Sequence, residues 1–411
     1  MGSFFTALSG LNADTTALDV VGNNLANMNT QGFKYSSVTF EDAMNQATAS
    51  LQIGSGVATA NTNTNFDQGN IESTGQPLDL AIQGNGFFAV QDPSTNQVEY
   101  TRDGSFNLNS QGQLVTETGD LVQGWMATNG TVNPSGPTVG ITVPLLTPLA
   151  PVPTANMSLT ANLDASAPVG ATFTAPVQVY DSLGNAITLS VQFTNSGPGA
   201  WNYSVNMPSS ELTGSTGATT ALTTGSLTFD SNGQLTSPAA GSPVTITNAQ
   251  PLADGAATLN INWNLYDANN NPDITGYAQA SATTGTTQDG SAAATVTNIS
   301  MQNGGTLIAS YSNGSQQTLA QVALANVSNP DSMIATNNNN FLLGPQTMTP
   351  TIGAAGTGGR GNLVGESLEQ SNVDMATQFT NLIVYQNGYE ANSKVLSTVN
   401  QMDQALLAIQ P

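Results

Sequence analysis

Two stretches of this sequence carry residue types at spacings that could do chemistry. Gly356 to Gly361, GTGGRG, has the G-x-G-x-x-G spacing with which a strand–turn–helix unit holds a dinucleotide. That fingerprint needs a strand directly before it and a helix opening inside it. Here a proline-bearing loop precedes it and helical patterning resumes only near Ser371, so the stretch reads as a hinge into the last helix. Asp267, Asn269, Asn271 and Asp273 alternate as the oxygen ligands of a calcium loop do. Pro272 stands where that loop needs glycine and Ala278 where it needs a bidentate glutamate, which leaves a turn. Carboxylate pairs of the glycoside-cleaving kind are open by composition, but no spacing singles one out. Trp125, Trp201 and Trp263 each sit in strand-like context and read as packing rather than as a sugar platform. The chain has no cysteine and no histidine. Disulfides, thiolate metal sites, thiol nucleophiles and the commonest general base are removed together. The reading is a protein that is not an enzyme, with no catalytic, cofactor or metal residue.

Charge narrows the partners further. The 411 residues carry a net charge of −22 although only 7% are charged. The imbalance comes from scarce bases (Lys34, Arg102, Arg360 and Lys394) rather than abundant acids. Four scattered cations cannot make a phosphate-binding patch, which excludes nucleic acid, and the same argument excludes anionic membrane surfaces. No run approaches the roughly 18 apolar residues of a membrane span, and no basic-then-apolar leader marks a cleavable signal. With 38% hydrophobic residues the chain has material for two or three cored domains.

The elements that would position anything are clearest at the two ends. Leu8, Leu11, Leu18, Val21 and Leu25 recur at steps of three, four and seven, an apolar stripe on a helix that Ser3 can cap and Gly32 can stop. Leu382, Tyr385, Tyr389, Leu396, Val399, Met402, Leu406 and Ile409 repeat in the same way after a capping box formed by Ser371 and Asp374. Stripes this narrow need a partner. They form a coiled-coil seam with each other or with copies of themselves, or each packs on its own domain's core. No proline precedes Pro77 or falls between Pro350 and Pro411, so both ends permit long helices.

Between the ends the pattern is β. Tyr35 to Asn70 reads as an extended or hairpin connector, or else as a disordered polar linker. From Gly75 short strands alternate with Gly-Asn, Asp-Gly and Gln-Gly turns. Pro144, Pro148, Pro151 and Pro153 mark a boundary. A second β region follows, with FTAPVQVYDSLGNAITLSVQFT a hairpin around Asp181–Asn185, and strands resume at GTLIASYSN and LAQVALANV.

SGLNADTTALDVVGNNLANMNTQGFK and LEQSNVDMATQFTNLIVYQNGYEANSKVL resemble the terminal signatures of the flagellar rod and hook axial proteins. LDLAIQGNGFFAV, YTRDGSFNLNSQGQLV and YSNGSQQTLAQVALANVSNP resemble segments of the same family, in the expected order, and the length favours its hook members over the shorter rod ones. Asn23, Asn24, Asn27, Gly32, Phe33, Lys34, Ser371, Asn372, Val373 and Asp374 lie in the matching motifs. One departure is Asn387 after Gln386, where the family has arginine.

The resemblance implies a mainly β, nested multi-domain fold with terminal α-helices. Residues 1–28 and 371–411 would form a helical inner-tube domain and 29–73 with 362–370 a connector. Residues 74–150 with 289–361 would form a discontinuous first β domain, and 151–288 an inserted outer one. It implies a self-assembling helical homopolymer: a curved hook outside the bacterial cell, acting as a universal joint around an export channel. Implied partners are the rod protein, the hook cap, the hook–filament junction proteins and the flagellar export apparatus, with no cleavable signal peptide and no membrane insertion. The competing class is a secreted carbohydrate-binding or adhesive β protein, which has no reason to keep amphipathic helices at both ends. The missing bases fit either an acidic external milieu or the lysine-poor bias of surface-assembling proteins.

Overall fold

The computed structural model of the chain describes residues 2–44, 54–145 and 147–407. Of the expected seam, Ile409 and the side chain of Leu406 lie outside the described residues. Strand accounts for 43% of the chain, with one long helix at each end, so the fold is mainly β. By contacts the chain forms two compact units, one of residues 1–144, 298–310 and 316–411, the other of 145–297 and 311–315.

In the first unit, helix α1 spans Gly2–Ala26 and helix α2 spans Met375–Leu407. Gly32 is not the stop for α1. The helix ends at Ala26, and the Asn27 side-chain amide turns back to the carbonyl of Asn23 at 3.0 Å, occupying one of the acceptors a helix end leaves open. Nor does Ser371 begin α2. Asp374 does, its carboxylate accepting the Thr377 N–H at 2.9 Å, because this oxygen faces the free amides of the first turn. A hairpin, Ser36–Met44 with Gly54–Thr64, follows α1 and lies along it, where the Ser9 hydroxyl accepts the Val57 N–H at 3.2 Å.

The unit's larger sheet runs through Gln316–Val322, Leu121–Thr128, Phe87–Gln91, Val98–Thr101 and Asn340–Leu342, all antiparallel neighbours. Two short pairs tie the returning chain to the outgoing one: Leu80–Gln83 with Asn362–Gly365, and Ile71–Ser73 with Ser367–Glu369. Phe66, Phe87 and Phe341 meet edge to face with centroids 5.1 to 6.1 Å apart, which places an apolar core against this sheet.

The second unit is a sandwich. One sheet orders Thr172–Tyr180, Ala186–Gly197, Ala200–Pro208, Thr219–Phe229 and Leu235–Ser237 as an antiparallel meander. The other pairs Asn156–Asn162 with Asn260–Asn264 in parallel and with Ala282–Gln288 antiparallel. Strict alternation sets the inner face: Ala175, Val177 and Val179 on one strand, Ile187, Leu189, Val191 and Phe193 on the next. Trp263 from the second sheet sits edge-on to Phe193 and Tyr203 of the first at 6.2 and 5.3 Å, closing the core. The Asp267 stretch is a turn, with the carboxylate accepting the Asn269 and Asn271 N–H groups at 2.8 Å each.

Candidate functional site

The two ends of the chain meet along α1 and α2. Asn392 Nδ2 donates to Asp14 Oδ2 at 2.9 Å, and Asn24 Nδ2 donates to Gln378 Oε1 at 3.1 Å. Low numbers on α1 therefore meet high numbers on α2, and the pair is antiparallel. Two glycines make room for the Asp14 and Asn392 side chains between the helices. A Cβ added at Gly10 would stand 2.6 Å from the Asn392 amide, and one at Gly388 would stand 3.0 Å from the Asp14 carboxylate. On α1 the facing positions are Ala7, Gly10, Asp14, Ala17, Val21 and Asn24, alternating steps of three and four. They are small or polar.

The large apolar residues expected as the seam are placed differently. Val21 is buried in the pair; Leu11, Leu18, Leu25, Leu382, Tyr385, Leu396 and Val399 are half-buried; Leu8, Tyr389 and Met402 are exposed. Others look outward too: Phe5 is 60% exposed and Ile383 57%, and Met375, Phe379 and Ile383 follow one another at steps of four. Tyr385 is partly covered by Phe40 of the hairpin, edge-on at 6.2 Å. The pair thus spends its small side chains on itself and leaves its large ones outside. The signal for the inner face was present as the three-four spacing of Ala7, Gly10, Ala17 and Val21, but small residues do not register in a hydrophobic stripe.

Below the helices lies a buried ionic cluster. Lys34 Nζ donates to Glu369 Oε1 at 2.6 Å and to the Asp67 carbonyl at 2.7 Å; Arg102 Nη1 donates to Glu369 Oε2 at 3.2 Å. The Lys34 and Glu369 side chains are fully enclosed and Arg102 nearly so. The Gly69 N–H adds a third donor to Glu369 at 2.8 Å, and the Arg102 guanidinium stacks over Phe87 at 5.1 Å. Burial pushes the Lys34 ammonium below its ordinary pKa, with Glu369 pulling the other way; Arg102 is lowered for the same reason. Saturated by two cations and an amide, Glu369 is held rather than reactive.

The motif residues surround this cluster. Gly32 sits at φ 65° where a Cβ would come within 2.7 Å of the Arg102 backbone, and its N–H donates to the Glu369 carbonyl at 2.7 Å. The Phe33 carbonyl accepts from Asn372 N at 3.3 Å. Asn372 takes the Tyr35 N–H at 2.8 Å and gives to the carbonyls of Asn65 and Asp67 at 3.0 Å. Asn24 clasps Ser36 through both its amide and its oxygen, at 2.7 and 2.9 Å. The Asn23 carbonyl receives Asn27, the Ser371 hydroxyl faces Val373 N at 3.4 Å, and Asp374 caps α2. Sequence reading missed Arg102 and Glu369 as a site; the scarcity of cations was the one available hint.

Arg360, inside GTGGRG, donates to the carbonyls of Ala354 and Thr351 at 3.1 and 3.3 Å and to the Thr357 hydroxyl at 2.8 Å. Its guanidinium is committed to its own loop, and no helix opens there. The dinucleotide pattern is coincidental.

Four stretches match known families. Residues 4–34 match the family described as flagella basal body rod protein, and 81–160 the flagellar hook protein FlgE/F/G D1 domain. Residues 149–291 match the flagellar basal body protein FlaE D2 domain, and 364–409 the flagellar basal body rod FlgEFG protein C-terminal region. The flagellar hook protein FlgE of Salmonella typhimurium is 34% identical over 97% of this chain and 98% of its own length. The protein of the same name from Escherichia coli is 32% identical over the same shares, and that of Borreliella burgdorferi 30% over 100% and 99%. In fold, the chain is similar to the crystal structure of Helicobacter pylori flagellar hook protein FlgE2. The TM-score is 0.51 at 12% identity, over 73% of this chain and all of that one.

Proposed function

The chain belongs to the flagellar hook protein family, a structural and not an enzymatic one, and from that premise we propose that its paired end helices join copies of it into a tube. One observation carries the reading. α1 and α2 satisfy each other through small and polar side chains and leave Phe5, Phe379, Ile383, Val384 and Met402 uncovered. Exposed apolar rows of this kind gain by burial against a neighbour, on the order of 1.5–3 kcal/mol for each large side chain fully covered. A heterologous contact whose rotation does not close repeats into a helical filament.

In this reading the apolar rows are the lateral seam between subunits, extended by the exposed Leu8 and Tyr389 and by Leu11, Leu18, Leu382, Leu396 and Val399 where the pair leaves them half-covered. The helix pairs line the channel through which later subunits pass. The buried Lys34–Glu369–Arg102 cluster holds both chain ends on the strand-built part, so force on the helices is carried into the body of the subunit. Sliding between neighbours lets a curved tube rotate as a universal joint. Rod protein, hook cap and hook–filament junction proteins are the axial partners, and the flagellar export apparatus delivers the chain.

The test is Ile383→Asp in the full chain. A carboxylate forced into a dry interface without a partner costs on the order of several kcal/mol, while the same side chain on a free subunit is solvated. The variant is expected to keep its circular dichroism and to form no sedimentable polymer. Normal tubes, seen by electron microscopy at wild-type concentration, would overturn the assignment of this face.

A further inference from the structure

Of the four cations in the chain, Lys34 and Arg102 are enclosed against Glu369 and Arg360 is tied to its own loop. Lys394 is left. It is exposed on α2, and its ammonium makes no hydrogen bond or ion pair among the described residues. Met375, Phe379, Ile383, Glu390, Lys394 and Ser397 are all exposed and follow one another at steps of three, four and seven. That spacing places them on one outward face of α2, apolar toward its start and charged toward its end. Glu390 precedes Lys394 by one turn and forms no ion pair with it. The ammonium therefore stands on the same face as the apolar row, with its partner still to be supplied.

The outward face of α1 is its complement in charge. Phe5, Leu8, Asn12, Thr15, Asp19 and Gly22 alternate steps of three and four, all exposed, opposite the residues that meet α2. Asp14 is taken up by Asn392, which leaves Asp19 as the one charge on this stripe. Its carboxylate too has no partner among the described residues. Three residues on, Gly22 needs explaining. A glycine inside a helix costs about 1 kcal/mol relative to alanine. Gly10 and Gly388 make room for Asn392 and Asp14, whereas a Cβ added at Gly22 would meet nothing within 4 Å. Among the described residues, no group of its own subunit requires the glycine there. A chain approaching from outside would, and it would arrive one turn from Asp19.

We infer that Lys394 of one copy seats on Asp19 of the next, with the α2 that carries it passing close over Gly22, and that this pair sets the register between adjacent helix pairs. The pairing rests on the proposed joining of copies through the end helices and adds to it the two residues that fix the stagger. Apolar rows alone slide along each other at little cost, because burial has no direction. An ion pair has a position. Asp14 lies level with Asn392 and Asn24 with Gln378, so Asp19 is level with about Tyr385 of its own α2. Reaching Lys394 then shifts the neighbour along the helix axis by about 14 Å at the α-helical rise per residue. One such attraction does not offset the repulsion between chains of −22. Its weight lies in excluding other registers, where Lys394 or Asp19 would face a like charge or none.

The test uses the full-length chain assembled into polymer. A water-soluble carbodiimide activates a carboxylate, and a touching lysine amine displaces it to form an amide, the lost water leaving in the urea by-product. Applied to polymer grown from isotope-labelled and unlabelled subunits, it should join Lys394 to Asp19 in peptides of mixed label. Lys394 joined to another carboxylate, or to none, would overturn the pairing. Charge exchange gives a second reading. Lys394→Glu should raise the critical concentration about tenfold or more, and Asp19→Lys should raise it too, although it makes the chain less negative. The two together should return it to within about twofold of wild type. If overall repulsion alone decided, Asp19→Lys would assemble more readily than wild type. That result, or a double variant left unrestored, would overturn the pairing. Gly22→Ala should firm the free helix in circular dichroism and still raise the critical concentration; a lower one would sink the close approach. Failure of the proposed function reads differently: wild-type subunits form no polymer, or Ile383→Asp subunits form tubes, and this pairing falls with it.

Discussion

The residue with the most depending on it is Glu369. It offsets two enclosed cations and receives a glycine amide, and its own strand, Ser367–Glu369, pairs with Ile71–Ser73. Removing one partner from a buried ion pair is destabilising because the other charge stays desolvated, typically by about 3–5 kcal/mol. Glu369→Ala strands both Lys34 and Arg102 and should fall in or above that range. Lys34→Met leaves the Arg102–Glu369 pair intact and fills the same volume with an apolar chain, so it should cost less. Urea unfolding of the two variants checks the order. Equal losses would mean that the cluster acts by packing rather than by charge.

At the scale of the element, the start of α2 rests on one carboxylate. Asp374 takes the Thr377 N–H, while the Gln378 N–H closes on the Asp374 carbonyl at 3.0 Å, so side chain and backbone of one residue set the first turn. An N-cap lost to alanine costs about 1 kcal/mol, and asparagine in its place costs little. Asp374→Ala should therefore lower the helical signal at the C-terminal end and weaken the α1–α2 pair, with Asp374→Asn close to wild type. Helical circular dichroism against temperature distinguishes them. The helix pair itself shows why an apolar stripe is a poor guide to an inner face. Two helices can approach closely only where side chains are small, and Gly10, Ala17 and Gly388 permit what leucine would prevent.

For the whole molecule, charge sets the terms of association. Each subunit carries −22 at neutral pH, with two of its four cations enclosed against Glu369 and a third, Arg360, committed to its own loop. Subunits brought together must therefore overcome repulsion between like-signed surfaces. Salt shortens the reach of that repulsion, to about 8 Å at physiological ionic strength and about 3 Å at 1 M. The critical concentration for polymerisation should fall as salt is raised at pH 7.5 and should depend on salt far less near pH 4, where the chain approaches its isoelectric point of about 4.1. Sedimentation of the polymer across a salt series measures it. A critical concentration that rises with salt would show that attraction between opposite charges, and not burial of apolar rows, drives assembly.

The sequence by itself determined the end helices, the strands between them, the Asp181–Asn185 hairpin and the family. Periodicity, turn residues and the order of motifs are local, and each can be read within some ten residues. Tertiary structure decided which helix faces meet, because that depends on how closely two backbones approach and not on how apolar a stripe is. It also decided that Asp374 rather than Ser371 caps α2, since both oxygens suit a cap and only the path of the chain chooses between them. Lys34, Arg102 and Glu369 lie 267 to 335 residues apart along the chain where they pair with Glu369. Charges meeting across such distances leave no spacing to read, because it is the folded backbone that removes them from water and so gives each one need of the other.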